Sequence, residues 1–186
     1  MARSPGNPGR STLTLRVVEL LGEAREQAVP VLIDSFVGIY RWHAKRTLRR
    51  ATTIRGAFEE DQLVGVSMLD DLVPGVGYVY YVAVRQAHRR HGIGTFLLDD
   101  ALDRFRSQKA EIVFAAVEED NVPSRALFAS RGFRVVTREE PGYREGGLGA
   151  WGLRSKMMVV SGEVLLGLRL NPPGTTIPLD PHSARA

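Results

Sequence analysis

The chain has 186 residues, of which 44% are hydrophobic and 25% charged, a composition typical of one globular domain with tails. No apolar run approaches the ~20 residues that a membrane span requires, and no apolar leader begins the chain, so we expect a cytoplasmic protein without a membrane partner. The absence of cysteine excludes disulfides and thiol chemistry. The four histidines are scattered, so we expect no metal site.

The N-terminal region begins with residues 1–11, which are rich in Pro, Gly and Arg and are predicted to form a flexible tail. A single domain is expected over residues 12–170, followed by a Pro-rich tail at 171–186. Leu13–Val18 alternates as a first strand. The apolar positions between Leu20 and Ile39 then recur on one helical face, which Pro30 either kinks or restarts.

A basic segment follows at Arg41–Arg50 and is predicted to form a second helix. The segment has two readings, a solvated helix face or a patch that binds a polyanion. No nucleic-acid motif supports the second reading, so nucleic acid is not expected as a partner.

Three strands are predicted in the middle of the chain. Ile54–Glu59 and Leu63–Asp70 read as a hairpin, and the Val73–Gly77 segment turns the chain into a third strand, Tyr78–Val84. This third strand is built from aromatic and β-branched residues without a polar interruption, which is typical of a buried strand.

A basic turn with two glycines, Gly92 and Gly94, joins this strand to a predicted helix. The first N–H groups of a helix lack partners and lie at its positive end, and glycine lets a ligand approach the backbone closely. The turn therefore predicts a phosphate site. Leu97 replaces the third glycine of a dinucleotide motif, and no lysine precedes Thr95, which argues against a nucleotide P-loop.

A second pattern runs from Asn121 to Phe133, after a predicted strand at Ile112–Val117. Asn121 suits a helix N-cap, Pro123 suits the first turn, and Gly132 suits the left-handed residue that ends the helix. We therefore expect a short capped helix that leads into another strand.

Together, the two patterns resemble those of the GNAT acetyltransferase superfamily. The turn matches (Q/R)-x-x-G-x-(G/A) after the V-x-V strand end, and the segment from Asn121 matches N-x-x-[AS]-x-x-[LF]-[YF]-x-x-x-G-F. The resemblance implies an α/β (α+β) fold with a mixed, mostly antiparallel sheet flanked by helices on both faces. It also implies acetyl-CoA as the acyl donor, with no metal. The residues implied in binding acetyl-CoA are Val82, Ala83, Val84, Arg89, Arg90, His91, Gly92, Ile93, Gly94, Thr95, Asn121 and Phe128.

The catalytic groups depart from the usual family pattern. Phe128 occupies the position where a tyrosine acid is common, and Ala116 occupies one common base position. Tyr78 occupies the other, which resembles the branch that acetylates protein N-termini. Strand alternation brings Glu118 to the same face as Ala116, so Glu118 is a second candidate base. Without the family context, a tyrosine on a central strand such as Tyr78 is more often part of the core than a catalytic group.

The C-terminal part contains a Gly-rich loop at Glu139–Lys156, in which the resemblance assigns Tyr143 to substrate binding. Met157–Val160 and Glu163–Leu170 are predicted strands. They form either one bulged last strand or an extension that pairs with another subunit, which leaves a homodimer open.

Three functions are compatible with these patterns. The first is an acetyl-CoA-dependent N-acetyltransferase that acts on a primary amine of a protein N-terminus, a lysine or a small molecule. The second is an acetyl-CoA-binding regulatory module with weak or no catalysis, suggested by Ala116 and Phe128. The third, a nucleic-acid-associated basic protein, rests only on residues 41–50. The first explains the most residues.

Overall fold

The computed structural model describes residues 15–136, 157 and 161–170. Four α-helices lie within these residues: α1 (Ala28–Ser35), α2 (Gly38–Leu48), α3 (Ile93–Ser107) and α4 (Val122–Ala129). The strands are β1 (Leu15–Glu19), β2 (Thr53–Glu59), β3 (Gln62–Val73), β4 (Val76–Val84), β5 (Ile112–Glu118), β6 (Arg134–Val135) and β7 (Glu163–Arg169). Short 3-10 helices occur at Gly22–Gln27 and Gln86–His88.

The strands form a 7-stranded sheet in the order β1-β2-β3-β4-β5-β7-β6. β1 with β2, β5 with β7 and β6 with β7 pair antiparallel, whereas β4 and β5 pair in parallel. The connection between β4 and β5 contains α3, as a parallel pair requires. The predicted fold class, a mixed and mostly antiparallel sheet with helices, is confirmed.

Contacts divide the chain into two compact units. Of the described residues, the first unit holds 15–68 and 81–100, and the second holds 69–80 and those from 101 onward. The expectation of a single domain over residues 12–170 stays a prediction, and the tails expected at 1–11 and 171–186 lie outside the described residues. No helix within the described residues is long and apolar enough to span a membrane.

The first unit has a core cluster of buried side chains from β2, β3 and α3. Its members are Ala57, Val64, Ile93 and Leu97. An ion pair supports this packing, because the Arg55 guanidinium donates to both carboxylate oxygens of Asp100 at 2.8 and 2.7 Å. The hydrogen bond to Asp100 raises the pKa of Arg55 above its already high ordinary value. The pair therefore fastens β2 to α3 with a cation that stays charged at working pH.

The second unit packs α3 closely against β4. Phe105 is fully buried, and a Cβ placed on Gly77 would lie 2.5 Å from its ring. A side chain at position 77 would displace the ring, so the glycine sets the distance between helix and strand. A second cluster in this unit contains Leu72, Tyr78, Phe114 and Met157.

The predicted helical region from Leu20 to Ile39 differs from the structure. The expected helical face from Leu20 to Ile39 is divided between the 3-10 helix, α1 and α2, and Ile39 is 67% exposed on α2. Pro30 restarts the helix instead of kinking it, since it lies in the first turn of α1, where no hydrogen bond is lost. Gly38, with a φ of 55°, accompanies the break between α1 and α2.

The C-terminal strand is confirmed at Glu163–Arg169, where β7 pairs with β5 along its whole length. Met157, which was predicted to begin a strand, has helical backbone instead. A short apolar run does not distinguish a strand from a helix by periodicity, which explains this error. Pairing with another subunit stays a prediction.

Candidate functional site

The turn from β4 into α3 leaves consecutive backbone donors open. The first hydrogen bond of α3 is donated by Phe96 N–H to the Gly92 carbonyl at 2.9 Å. Within the described part of the chain, the N–H groups of Arg90–Thr95 have no acceptor. Arg90 and Gly92 have φ values of 68° and 81°, which turn successive N–H groups toward a common side. Because these donors lie at the positive end of a 15-residue helix, their position suits the binding of an anion.

The space around this turn is open. Arg90 and His91 are exposed, and a Cβ placed on Gly92 would meet no atom within 4 Å. Ile93 is 4% exposed and holds the helix start in the core of the first unit. A ligand can therefore approach the donors while the backbone beneath them stays fixed.

The end of α1 holds β4 and the turn in position. The Ser35 hydroxyl donates to the Val84 carbonyl at 3.2 Å, and the Gln86 N–H donates to a carboxylate oxygen of Asp34. Arg89 Nε donates to the same Val84 carbonyl at 3.1 Å. Arg89 Nη2 also donates to the Ser35 carbonyl at 3.5 Å. The guanidinium of Arg89 therefore supports the backbone with two of its donors, in addition to bringing positive charge to the turn.

Sequence reasoning missed Asp34 and Ser35. Both lie about 50 residues before the groups that they bind, and no local pattern links them to the turn. His88, which lies just before the turn, has its Nε2 3.4 Å from a Glu59 carboxylate oxygen. This contact joins the start of the turn to the end of β2.

β4 extends beyond its pairing with β5. The parallel register runs from Val76 with Ile112 to Val79 with Ala115, whereas β4 itself continues to Val84. The predicted donor residues Val82, Ala83 and Val84 lie on this continuation. Ala83 is 2% exposed, and Val82 and Val84 are partly buried.

Tyr78 lies in the core of the second unit. Its side chain is 2% exposed, its hydroxyl donates to the Met157 carbonyl at 2.7 Å, and its ring packs edge-to-face on Tyr80 at 4.7 Å. Ala116 packs against the same cluster. Proton transfer by Tyr78 requires exchange of the bond to Met157, and its catalytic role stays a prediction.

In the segment that leads from β5 into α4, a side chain of the segment itself caps the start of the helix. The Asn121 Oδ1 accepts the Ser124 N–H at 3.1 Å, and Pro123 has no N–H to offer, so the predicted N-cap is confirmed. Phe128 is 5% exposed and packs edge-to-face on Phe133 at 5.0 Å. Glu118 is partly buried at the end of β5.

The remaining predicted site residues are Gly94, Thr95 and Tyr143. Gly94 and Thr95 are partly exposed in the first turn of α3. Tyr143 and the whole Glu139–Lys156 loop lie outside the described residues. Across the described ranges, no group of three or more His, Asp or Glu residues is arranged to hold a metal ion.

The mixed, mostly antiparallel sheet, with an open strand-to-helix turn at the start of α3, agrees with the fold expected of a GNAT acetyltransferase. The model of the Acetyltransferase (GNAT) family matches residues 17–133. The chain belongs to this family, and the resemblance inferred from its two patterns is confirmed.

Solved structures share the fold at low sequence identity. The ribosomal-protein-S18-alanine N-acetyltransferase of Escherichia coli has a TM-score of 0.64 and 15% identity, covering 88% of this chain and 99% of its own. A Bacillus subtilis acetyltransferase in complex with CoA has a TM-score of 0.63 and 19% identity, covering 85% and 100%. Ard1 from Thermoplasma volcanium has a TM-score of 0.58 and 14% identity, covering 85% and 99%. No curated protein matches the sequence.

Proposed function

We propose that the protein is an acetyl-CoA-dependent N-acetyltransferase that transfers the acetyl group to a primary amine by direct attack on the thioester. The observation that carries this proposal is the run of N–H groups at Arg90–Thr95, for which no described residue provides an acceptor. The diphosphate of CoA is an anion of the size that several adjacent main-chain donors bind. Family membership and the CoA complex of the Bacillus subtilis protein support the choice of ligand.

The donor is proposed to lie along the end of β4, with its diphosphate on the turn and its thioester beside Val82–Val84. Gly92 and Gly94 allow close approach of the diphosphate, and the arginines of the turn add positive charge. The backbone of Val84 is held by Ser35 and Arg89. A fixed strand end is what positions a reacting carbonyl reproducibly.

The reaction needs a neutral amine, whose nitrogen forms a bond to the acetyl carbon while the carbon–sulfur bond breaks. The thiolate of CoA leaves and takes a proton from water, since a thiol pKa is about 8.5 and Phe128 has no proton to give. The amine loses its proton to a base in the same sequence of steps. Glu118 and Tyr78 are the two proposed bases.

Glu118 is the more accessible of these two groups. Its side chain is partly exposed at a strand end, whereas the Tyr78 hydroxyl is buried and bound to Met157. We propose that Glu118 accepts the proton, directly or through a water, and that Tyr78 has a packing role in its own cluster with Phe114 and Met157. The proposed contribution of Asn121 and Phe128 to acetyl-CoA binding is mainly to shape α4.

We propose that the acceptor is the α-amino group of a protein N-terminus, in preference to a lysine side chain. An α-amino group has a pKa of about 7.7 and is partly neutral at pH 7, whereas a lysine side chain at about 10.4 needs a strong base. A site whose usual base and acid positions hold Ala116 and Phe128 favours the easier amine. The name of the Escherichia coli protein, a ribosomal-protein-S18-alanine N-acetyltransferase, suggests the same test substrates. Tyr143 is the proposed peptide contact.

The test is release of free CoA from acetyl-CoA in the presence of matched amines: a peptide, the same peptide with a blocked N-terminus and one free lysine, and a polyamine. We expect turnover with the free N-terminus and little with the other two. The proposed acceptor is wrong if the polyamine or the lysine peptide is acetylated faster at neutral pH.

The second candidate function is an acetyl-CoA-binding module without catalysis. It is favoured by Phe128 and Ala116, which replace both usual proton-handling groups, and by the engaged hydroxyl of Tyr78. Binding of acetyl-CoA without CoA release across the whole amine panel would select this function over the transferase.

A further inference from the structure

The outward side of α2 and the residue before it expose several large apolar side chains. Val37 is 78% exposed, Ile39 67% and Trp42 58%. The opposite side of α2 is buried through Ala44 and Leu48. Helical spacing accounts for the pattern, because Ile39 and Trp42 share one side of the helix with the residues three, four and seven positions after Trp42.

The same outward side carries positive charge. Lys45, Arg46 and Arg49 are exposed and lie at those helical positions. The Arg46 guanidinium lies over the Trp42 ring, 5.6 Å from its centroid, so the cationic and apolar parts are in contact. We name Val37, Ile39, Trp42, Lys45, Arg46 and Arg49 the outer face of α2.

The outer face lies in a stretch without negative charge. No Asp or Glu occurs between Ser35 and Phe58, a range that also contains Arg41 and Arg50. A solvated helix normally intersperses both signs of charge on its outer side. A surface that instead combines exposed aliphatic and aromatic groups with unbalanced cations fits a partner that is both apolar and anionic.

We propose that the outer face of α2 binds the surface of an anionic phospholipid bilayer. A peripheral helix of this type inserts its apolar side chains at the boundary of headgroups and acyl chains, while Lys and Arg contact phosphates. Trp42 suits this boundary because its ring is amphipathic. The proposal concerns a surface contact and is independent of acetyl transfer.

Other partners fit the outer face less well. Nucleic acid is bound by cations and aromatic rings, but exposed Val37 and Ile39 contribute to neither phosphate contact nor base stacking. A symmetric contact with a second copy would bring the cations of one outer face against those of the other. An acidic protein matches the charge, and it is therefore tested beside the lipid.

The experiment is sedimentation of the full chain with vesicles of phosphatidylcholine, with and without about 30% phosphatidylserine, at about 0.1 M salt. Two double variants divide the outer face: Ile39→Ser with Trp42→Ser removes its apolar part, and Lys45→Glu with Arg49→Glu reverses its charge. The matched control, Arg106→Glu with Lys109→Glu, makes the same charge change at the exposed end of α3. Circular dichroism verifies that each variant folds.

We expect the wild type and the control to bind the vesicles that contain phosphatidylserine and not those of phosphatidylcholine alone. Each double variant on the outer face should bind roughly tenfold more weakly or worse, because membrane attachment of this kind needs both contributions. In a Trp151→Phe background, the fluorescence of Trp42 should shift to shorter wavelength on binding.

The proposal is overturned by absence of vesicle binding, by an equal loss in the control, or by binding that survives the loss of Ile39 and Trp42. It is also overturned if a polyglutamate peptide or duplex DNA binds the outer face as tightly as the vesicles do, or if the two variants instead abolish a dimer in solution.

Discussion

Two strand-to-helix turns of the chain have opposite designs. Among the described residues, the N–H groups of Arg90–Thr95 in the turn from β4 into α3 have no acceptor, and open space lies over Gly92. The turn from β5 into α4 satisfies its helix start internally, because Asn121 accepts the Ser124 N–H and Pro123 has none. Every helix start presents the same orphan donors. The difference lies in whether side chains of the protein consume them.

This difference explains which part of the site has a recognisable sequence. If the first turn binds through its main chain, as proposed, its residues are specified by backbone geometry, and glycine marks the positions. The second turn and the cluster around Tyr78 are packed regions in which each side chain has to suit the core. Ala116 and Phe128, which depart from the family pattern, lie in these packed regions.

Among the substitutions that test this contrast, Gly92→Val is expected to have the largest effect, which is a loss of acetyl-CoA affinity. The valine side chain would cover the open donors and force a β-branched residue to a φ of 81°, so at least two charge-assisted hydrogen bonds to the diphosphate are lost. At about 1.5 kcal/mol or more for each bond, acetyl-CoA affinity should fall roughly 100-fold, as measured by calorimetry.

A matched control is available in Gly162→Val. Gly162 has a φ of 89° and open space in place of a Cβ, but it precedes β7 and no anion site. Both variants should lose about 1–2 kcal/mol of stability from the strained backbone. Equal acetyl-CoA affinity in the two variants would remove the donor site from this turn.

Glu118→Gln and Tyr78→Phe sharpen the comparison on the catalytic side. If Glu118 accepts the proton, Glu118→Gln should lower kcat about 100-fold, with acetyl-CoA affinity unchanged. Tyr78→Phe removes the bond to Met157 and should cost about 1 kcal/mol of stability, with a smaller change in kcat. A fully active Glu118→Gln beside an inactive Tyr78→Phe would reverse these roles.

Asn121→Ala tests whether the second turn is closed for structural reasons. Loss of the cap should lower the free energy of unfolding by about 1 kcal/mol, as measured by urea denaturation, and Asn121→Ser should restore most of it. A large fall in acetyl-CoA affinity that serine does not rescue would show that Asn121 contacts the donor.

Ser35→Ala is expected to have the smallest effect. It removes the hydroxyl that holds the Val84 carbonyl at 3.2 Å, while Arg89 still binds the same atom. The KM for acetyl-CoA should rise several-fold, in line with one neutral hydrogen bond of about 1 kcal/mol, and kcat should change little. Ser107→Ala, which removes a similar bond to Arg104 at the end of α3, should leave KM unaltered.

The sequence predicted well those features that depend on neighbouring residues. The β2–β3 hairpin, the start of α3, the Asn121 cap and the left-handed Gly132 all follow from local backbone rules. The helical face predicted from Leu20 to Ile39 restarts near Pro30, which was one of the two predicted alternatives, but the further break at Gly38 was not predicted. Apolar periodicity alone does not reveal such divisions.

Features that depend on distant contacts could not be predicted. Nothing near Ser35 indicates that its hydroxyl meets Val84, and nothing near Tyr78 indicates a bond to Met157. The exposed state of Trp42 was likewise hidden, since an aromatic residue beside basic ones fits a buried or an exposed position equally well. Tertiary packing decides the roles of side chains in this protein, whereas local backbone rules decide the conformation of the turn from β4 into α3.

The central claim is that main-chain N–H groups of the first turn bind the diphosphate of acetyl-CoA. The most direct measurement is an amide NMR titration with CoA, repeated with adenosine 3′,5′-bisphosphate, which lacks the diphosphate. Our account predicts large downfield shifts of the Gly92, Gly94 and Thr95 amides with CoA and small ones with the bisphosphate. Saturable CoA binding that leaves these three amides unmoved would contradict it.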